Sequence, residues 1–176
     1  MPQGANYLGS KLLGAAGESV MFDRLADSNP FGRVSFQPRI GDNDPDLRVS
    51  FEPNMFSDKA ALADIVGQPG GIVRMDVGPA TIYFEVKVGS DFSNLMRGAT
   101  QAADTASALD PKSNTASVLV VDQGAYNGLT SAQKQELQTK AGGAYIQLQP
   151  NLNRDAANRA AQTRKGACDA AKDKCK

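Results

Sequence analysis

The chain contains no histidine among its 176 residues. That absence excludes a Ser-His-Asp triad, a Cys-His dyad, a histidine zinc site and any ribonuclease that works through imidazole. Tryptophan is also absent, and four Tyr and seven Phe leave few rings on which unpaired bases could stack. The two cysteines, Cys168 and Cys175, both lie near the C-terminus. Seven residues apart on one helix, their Cα atoms would be about 10 Å apart by helical rise, too far for a disulfide unless the chain bends. Neither has a catalytic partner nearby, and two ligands do not make a zinc site. They read as incidental thiols in a reducing setting, or as a loop-closing staple if oxidised. No apolar run approaches the roughly 20 residues needed to span a membrane. Met1-Pro-Gln-Gly lacks the basic and then apolar pattern of a secretory leader. The expectation is a cytosolic chain, or a domain from the end of a larger exported one.

What is present is an ordinary globular composition, 41% hydrophobic, in a chain long enough for one domain with a core. Formal charge is zero, with 19 basic and 19 acidic residues, but it is unevenly spread. From Arg154 to Lys176 seven Lys/Arg stand against three Asp, so this tail is +4 and the remainder −4. Such a tail can supply the basic surface that a nucleic-acid enzyme carries, or serve as a solubilising helix.

Periodicity predicts an α/β fold. Leu12, Leu13, Ala16, Val20, Phe22 and Leu25 recur near helical spacing, predicting a helix over 8–26 in which Gly14 and Gly17 permit close approach to a sheet. A near-duplication follows, Arg33-Val-Ser-Phe-Gln-Pro38 and Arg48-Val-Ser-Phe-Glu-Pro53, with the turn-rich link 41–46 between the copies. It reads as a two-stranded insertion. A short helix is expected over 57–67 with Ser57 as its cap, then the loop 68–71. The segment 73–88 reads as two strands joined at Gly78-Pro79. Phe92, Leu95, Met96, Ala99 and Ala102 give the stretch 90–109 a helical apolar face, stopped by Asp110-Pro111. The run 117–122 is apolar throughout, as expected of a central strand buried on both faces. Thr130 caps a helix to Ala141, and 144–149 alternates as a last strand, parallel to the previous one. One domain over 1–176 is expected, with a core at 8–149, an insertion at about 30–70 and a helical tail at 150–176.

The residues that carry chemistry cluster in the second of the joined strands. Side chains alternate across a strand, so Glu85 and Lys87 share one face while Phe84, Val86 and Val88 take the other. A hairpin would bring Asp76 beside them. Two carboxylates and an ammonium suit a hard divalent cation and a water to be deprotonated. Asp46, in a literal Pro45-Asp46, rivals Asp76 as the first carboxylate. Asp76 is preferred because a hairpin partner nine residues before Glu85 is automatically close, whereas Asp46 lies in a turn-rich stretch expected to face solvent. Without chemistry, Glu85 and Lys87 are the polar face of a half-buried strand.

The D-x8-E-x-K pattern, set in the element order α-β-β-β-α-β, resembles the PD-(D/E)XK, or restriction-endonuclease-like, nuclease superfamily over about 9–149. The resemblance implies a mixed central sheet flanked by helices and a Mg²⁺- or Mn²⁺-dependent endonuclease. Asp76 and Glu85 would bind the metal, with Glu18 of the first helix as a further ligand and Lys87 assisting the attacking water. Gln101, on the helix after E-x-K, matches a glutamine often found there, and Arg97, one turn earlier, would grip phosphate or pair with a neighbouring Asp. The compact length and the Gly17-Glu18 helix also resemble C-terminal toxin nuclease domains of polymorphic bacterial effectors, including contact-dependent growth inhibition and type VI secretion proteins. That likeness implies delivery as the end of a larger exported effector, action in the target cell's cytoplasm, and a cognate immunity protein. DNA is favoured as substrate. An RNase or tRNase using the same site and a non-catalytic nucleic-acid-binding module with a decayed nuclease fold remain the alternatives.

Overall fold

Seven of the eight residues in the strand Thr115–Asp122 are buried, because helices cover both of its faces and strands flank both of its edges. This is β4, the centre of the computed structural model, which describes residues 3–28, 33–51 and 79–170. Before it come α1 (Gln3–Ser28), β1 (Arg33–Phe36), β2 (Leu47–Phe51), β3 (Ala80–Lys87) and α2 (Phe92–Ala108). After it come α3 (Gln123–Asn127), α4 (Ser131–Ala141), β5 (Tyr145–Gln149) and α5 (Leu152–Ala170). The strands form one open mixed sheet in the order β1-β2-β3-β4-β5. β1, β2 and β3 pair antiparallel in succession, and β3, β4 and β5 run parallel.

Alternation along the strands divides the core in two. Ile82, Phe84 and Val86 of β3, with Val118 and Val120 of β4, face α1 and α5 and meet Val20, Met21, Leu152 and Ala156. Leu119 and Val121 of β4 face α2 and α4 and meet Leu95, Ala99, Ala102, Leu137 and Ala141. Glu85 and Lys87 pair in register with Leu119 and Val121, so they share the α2 side. Helix starts follow local chemistry. Asp91 caps α2 by accepting from the Ser93 N–H, and Thr130 with Gln133 makes a reciprocal capping box at α4.

The expected organisation changes. The RVSF pair is not an insertion: β2 joins the main sheet beside β3, in the register Leu47↔Phe84 to Phe51↔Ala80, with Leu47 and Val49 fully buried. Among the described residues β2 is thus the antiparallel neighbour of β3, the place the 73–88 hairpin was expected to fill. That hairpin's first strand, with Asp76, and the 57–71 helix and loop lie outside the described residues. As far as it is described, the tail is also part of the fold: α5 lies against α1 with Leu152 and Ala156 in the core, while Arg154, Arg164 and Lys165 stay exposed. Arg159 pairs with Asp23 at 2.6 Å and donates to Ser19 at 2.8 Å. In the opposite direction, Arg24 of α1 pairs with Asp155 at 2.7 Å and donates to Gln149.

Candidate active site

The pairing of β2 with β3 stops at Leu47↔Phe84, while β3 continues to pair with β4 as far as Lys87. Beyond Phe84 the free edge of β3 needs another acceptor for its N–H groups. Asp46, the residue just before β2, supplies one: its carboxylate accepts the Val86 N–H at 2.7 Å. Asp46 is therefore not the solvent-facing turn residue expected from its neighbours. It is half-buried at the fork between the two strands and continues their register opposite Glu85. Its carbonyl accepts the Gln37 N–H at 2.8 Å, which fixes it from the β1 side as well.

Glu85 is 3% exposed and forms an ion pair with Lys87, two positions on along the same face. The lysine stem lies under α2 at Gly98. A Cβ there would overlap it, coming 2.9 Å from Lys87 Cε and 3.0 Å from Leu119 Cδ1. From the other side, a Cβ at Gly17 of α1 would overlap Val88. Two helical glycines thus let α1 and α2 close on the end of β3, and Gly17 brings the next residue, Glu18, to the cluster.

Electrostatics ties these side chains together. Burial raises the Glu18 pKa from 4.5 to about 7, with the Asp46 charge adding to the rise and Lys87 opposing it. Burial likewise raises Asp46, against Lys87 and the Val86 N–H. Glu85 is pushed up by burial and then by Asp46, against Lys87. Three carboxylates facing one lysine carry excess negative charge in a place poor in water. Among the described residues no three acidic side chains converge as a ready metal cluster, and Glu85 is engaged by Lys87. Carboxylate oxygens are nonetheless the donor type that a hard cation takes. Magnesium takes one or two carboxylates and keeps several waters, and the mutual repulsion of Glu18, Asp46 and Glu85 is what a cation relieves.

A cavity of about 990 Å³ opens beside this cluster, reached by its Glu18 and Lys87 but not lined by Asp46 or Glu85, and walled by α1 through Lys11 and Gly14 and by α2 through Asn94 and Arg97. Arg97 donates to Asn94 at 2.8 Å, and Asn94 donates to the Val88 carbonyl at 3.1 Å, which ties the arginine to the end of β3. Gln101 is exposed one turn further along α2 and is not part of the lining. Behind the site the chain turns at Gly89, at φ +99, and the Gly89 N–H is held by Asn153 Oδ1 at 2.7 Å. Asp122, buried at the end of β4, accepts from both Ala125 N–H and Asn153 N–H at 2.9 Å.

The structure thus brings together Glu18, Glu85, Lys87 and Arg97 from the expected set, adds Asp46, and leaves Gln101 at the periphery. Asp76 lies outside the described residues. Asn94, Asn153 and Gly98 are not singled out by sequence. Only Gly98 carries a signal, as a glycine inside an apolar helical stripe, where it weakens the helix unless something must approach closely. Comparisons of the chain with protein-family models, with curated proteins and with solved structures found no match.

Proposed function

We propose that the chain is a metal-dependent nuclease with a restriction-endonuclease-like core, hydrolysing phosphodiester bonds of DNA. The observation that supports this reading best is the gathering of Glu18, Asp46, Glu85 and Lys87 where β2 and β3 part. Asp46 takes the role that proximity along the chain had assigned to Asp76. Asp46 and Glu85 would hold Mg²⁺ or Mn²⁺, with Glu18 beside them. The ion would supply Lewis acidity toward a phosphoryl oxygen and make a water more acidic. Lys87 sets a positive charge beside Glu85, where it offsets charge developing on the phosphate oxygens. Arg97 presents a guanidinium from the cavity wall to a flanking phosphate. Glu18, with its pKa near neutrality, can exchange a proton at working pH.

The setting follows the same resemblance: a toxin domain carried by a larger exported effector, acting in the cytoplasm of a target bacterium and neutralised by an immunity protein. No helix among the described residues is long and apolar enough to cross a membrane. Incubation of the purified chain with plasmid DNA and with tRNA, in Mg²⁺ and in EDTA, tests the chemistry. Metal-dependent DNA cleavage is expected. Cleavage of tRNA alone would move the substrate to RNA, and undiminished cleavage in EDTA would overturn the mechanism. Expression of the active chain in bacteria without a neutralising partner is expected to be toxic, and Glu85→Ala is expected to relieve it.

A further inference from the structure

Gln37 lines the cavity with an unusual backbone, at φ +42. The left-handed region places Cβ against the following carbonyl, so L-residues other than Asn and Asp seldom occupy it, whereas glycine does so freely. Glutamine lacks the short side chain with which Asn or Asp compensates locally. The conformation is imposed by the strand ends on each side. Gln37 follows β1, its N–H is bonded to the Asp46 carbonyl at 2.8 Å, and the link beyond it is closed by the Ile40–Asn43 bridge. A turn whose only task was to hold Asp46 would be better served by glycine. The residue present instead costs stability and adds an exposed carboxamide to the cavity lining. Strain of this kind collects where a side chain has to be aimed.

We propose that Gln37 contacts substrate: its carboxamide holds the nucleic-acid strand beside the scissile phosphate, in the cavity that Arg97 also lines. This rests on the nuclease reading above. A carboxamide both donates and accepts, so it matches a sugar or base edge adjoining the phosphate. The cationic Lys87 and Arg97 serve the phosphate charge itself.

Steady-state cleavage of a DNA duplex in Mg²⁺, together with thermal melting, tests the inference on wild type, Gln37→Gly and Gln37→Asn. The glycine variant is expected to melt at or above wild type, because the backbone strain is relieved, while its KM rises roughly fivefold or more, the loss of one hydrogen bond. The asparagine variant tolerates the backbone and keeps an amide, so it is expected to recover part of that loss. An active wild type whose glycine variant keeps its KM overturns the role of Gln37 and leaves the nuclease reading standing. A glycine variant that melts lower than wild type, or loses kcat alone, also overturns it, since the residue would then act only through Asp46. A wild type that cleaves no nucleic acid overturns both readings together.

Discussion

Asp46 and Glu85 meet across a strand pair although 39 residues separate them in the chain. Removing either charge should therefore have opposite effects on stability and on activity. Asp46→Asn keeps an acceptor for the Val86 N–H but removes a buried, repelled charge, so the variant is expected to melt at or above wild type at pH 8. The pH dependence has a definite sign. Glu18 takes up protons more readily folded than unfolded, with its pKa moved from 4.5 to about 7, and Asp46 and Glu85 shift in the same direction. Between those values the folded chain binds more protons, so stability is fully present below pH 4.5 and is lost as pH rises through about 7. Even allowing for solvent screening at half-buried Glu18, the melting temperature is expected to fall by roughly 3 °C or more from pH 5 to pH 8. Millimolar Mg²⁺ should restore it at pH 8 and do little at pH 5. Melting curves that rise with pH, or that ignore Mg²⁺ at pH 8, would rule out a repelled carboxylate cluster.

At the scale of elements, the approach of α1 and α2 to β3 depends on Gly17 and Gly98. Gly98→Ala would normally favour a helix, yet here its methyl overlaps the Lys87 stem, and overpacking is expected to cost about 1–3 kcal/mol and to displace the lysine. Chemical denaturation and cleavage rate should fall together; a more stable, fully active variant would show that the contact is slack. Asp122 joins β4, α3 and α5 through two N–H groups, so Asp122→Ala leaves both unsatisfied, at an expected cost of about 2–4 kcal/mol. The local part of this architecture is legible in sequence. Helical stripes, the Thr130 cap, the apolar run of β4 and the two-residue spacing of Glu85 and Lys87 each follow from periodicity over a few residues. Pairing of β2 with β3 does not, because register between distant strands depends on which apolar faces meet. The duplicated RVSF pattern marks β1 and β2 as strands, and Asp46 stands immediately before the second. Short range along the chain nevertheless favours Asp76, because nothing local shows that Leu47 and Val49 will be buried against β3.

Across the whole molecule, the basic C-terminal helix is part of the fold before it is a surface. Leu152 and Ala156 are buried, and Arg159 is committed to Asp23 on α1. Truncation at Asn151 is accordingly expected to abolish cooperative melting rather than to raise KM alone, as a free nucleic-acid-binding tail would. A truncated chain that melts normally and only binds DNA less tightly would return the helix to that role. The central claim is that phosphodiester hydrolysis is carried out by the cluster at the fork of β2 and β3. It is tested most directly by comparing single-turnover DNA cleavage in Mg²⁺ by wild type, Asp46→Asn and Glu85→Gln. Both variants are expected to lose roughly a thousandfold or more in rate while melting no lower than wild type, since each removes a proposed metal ligand whose charge the fold resists. Cleavage by a folded Asp46→Asn variant at the wild-type rate would contradict the account.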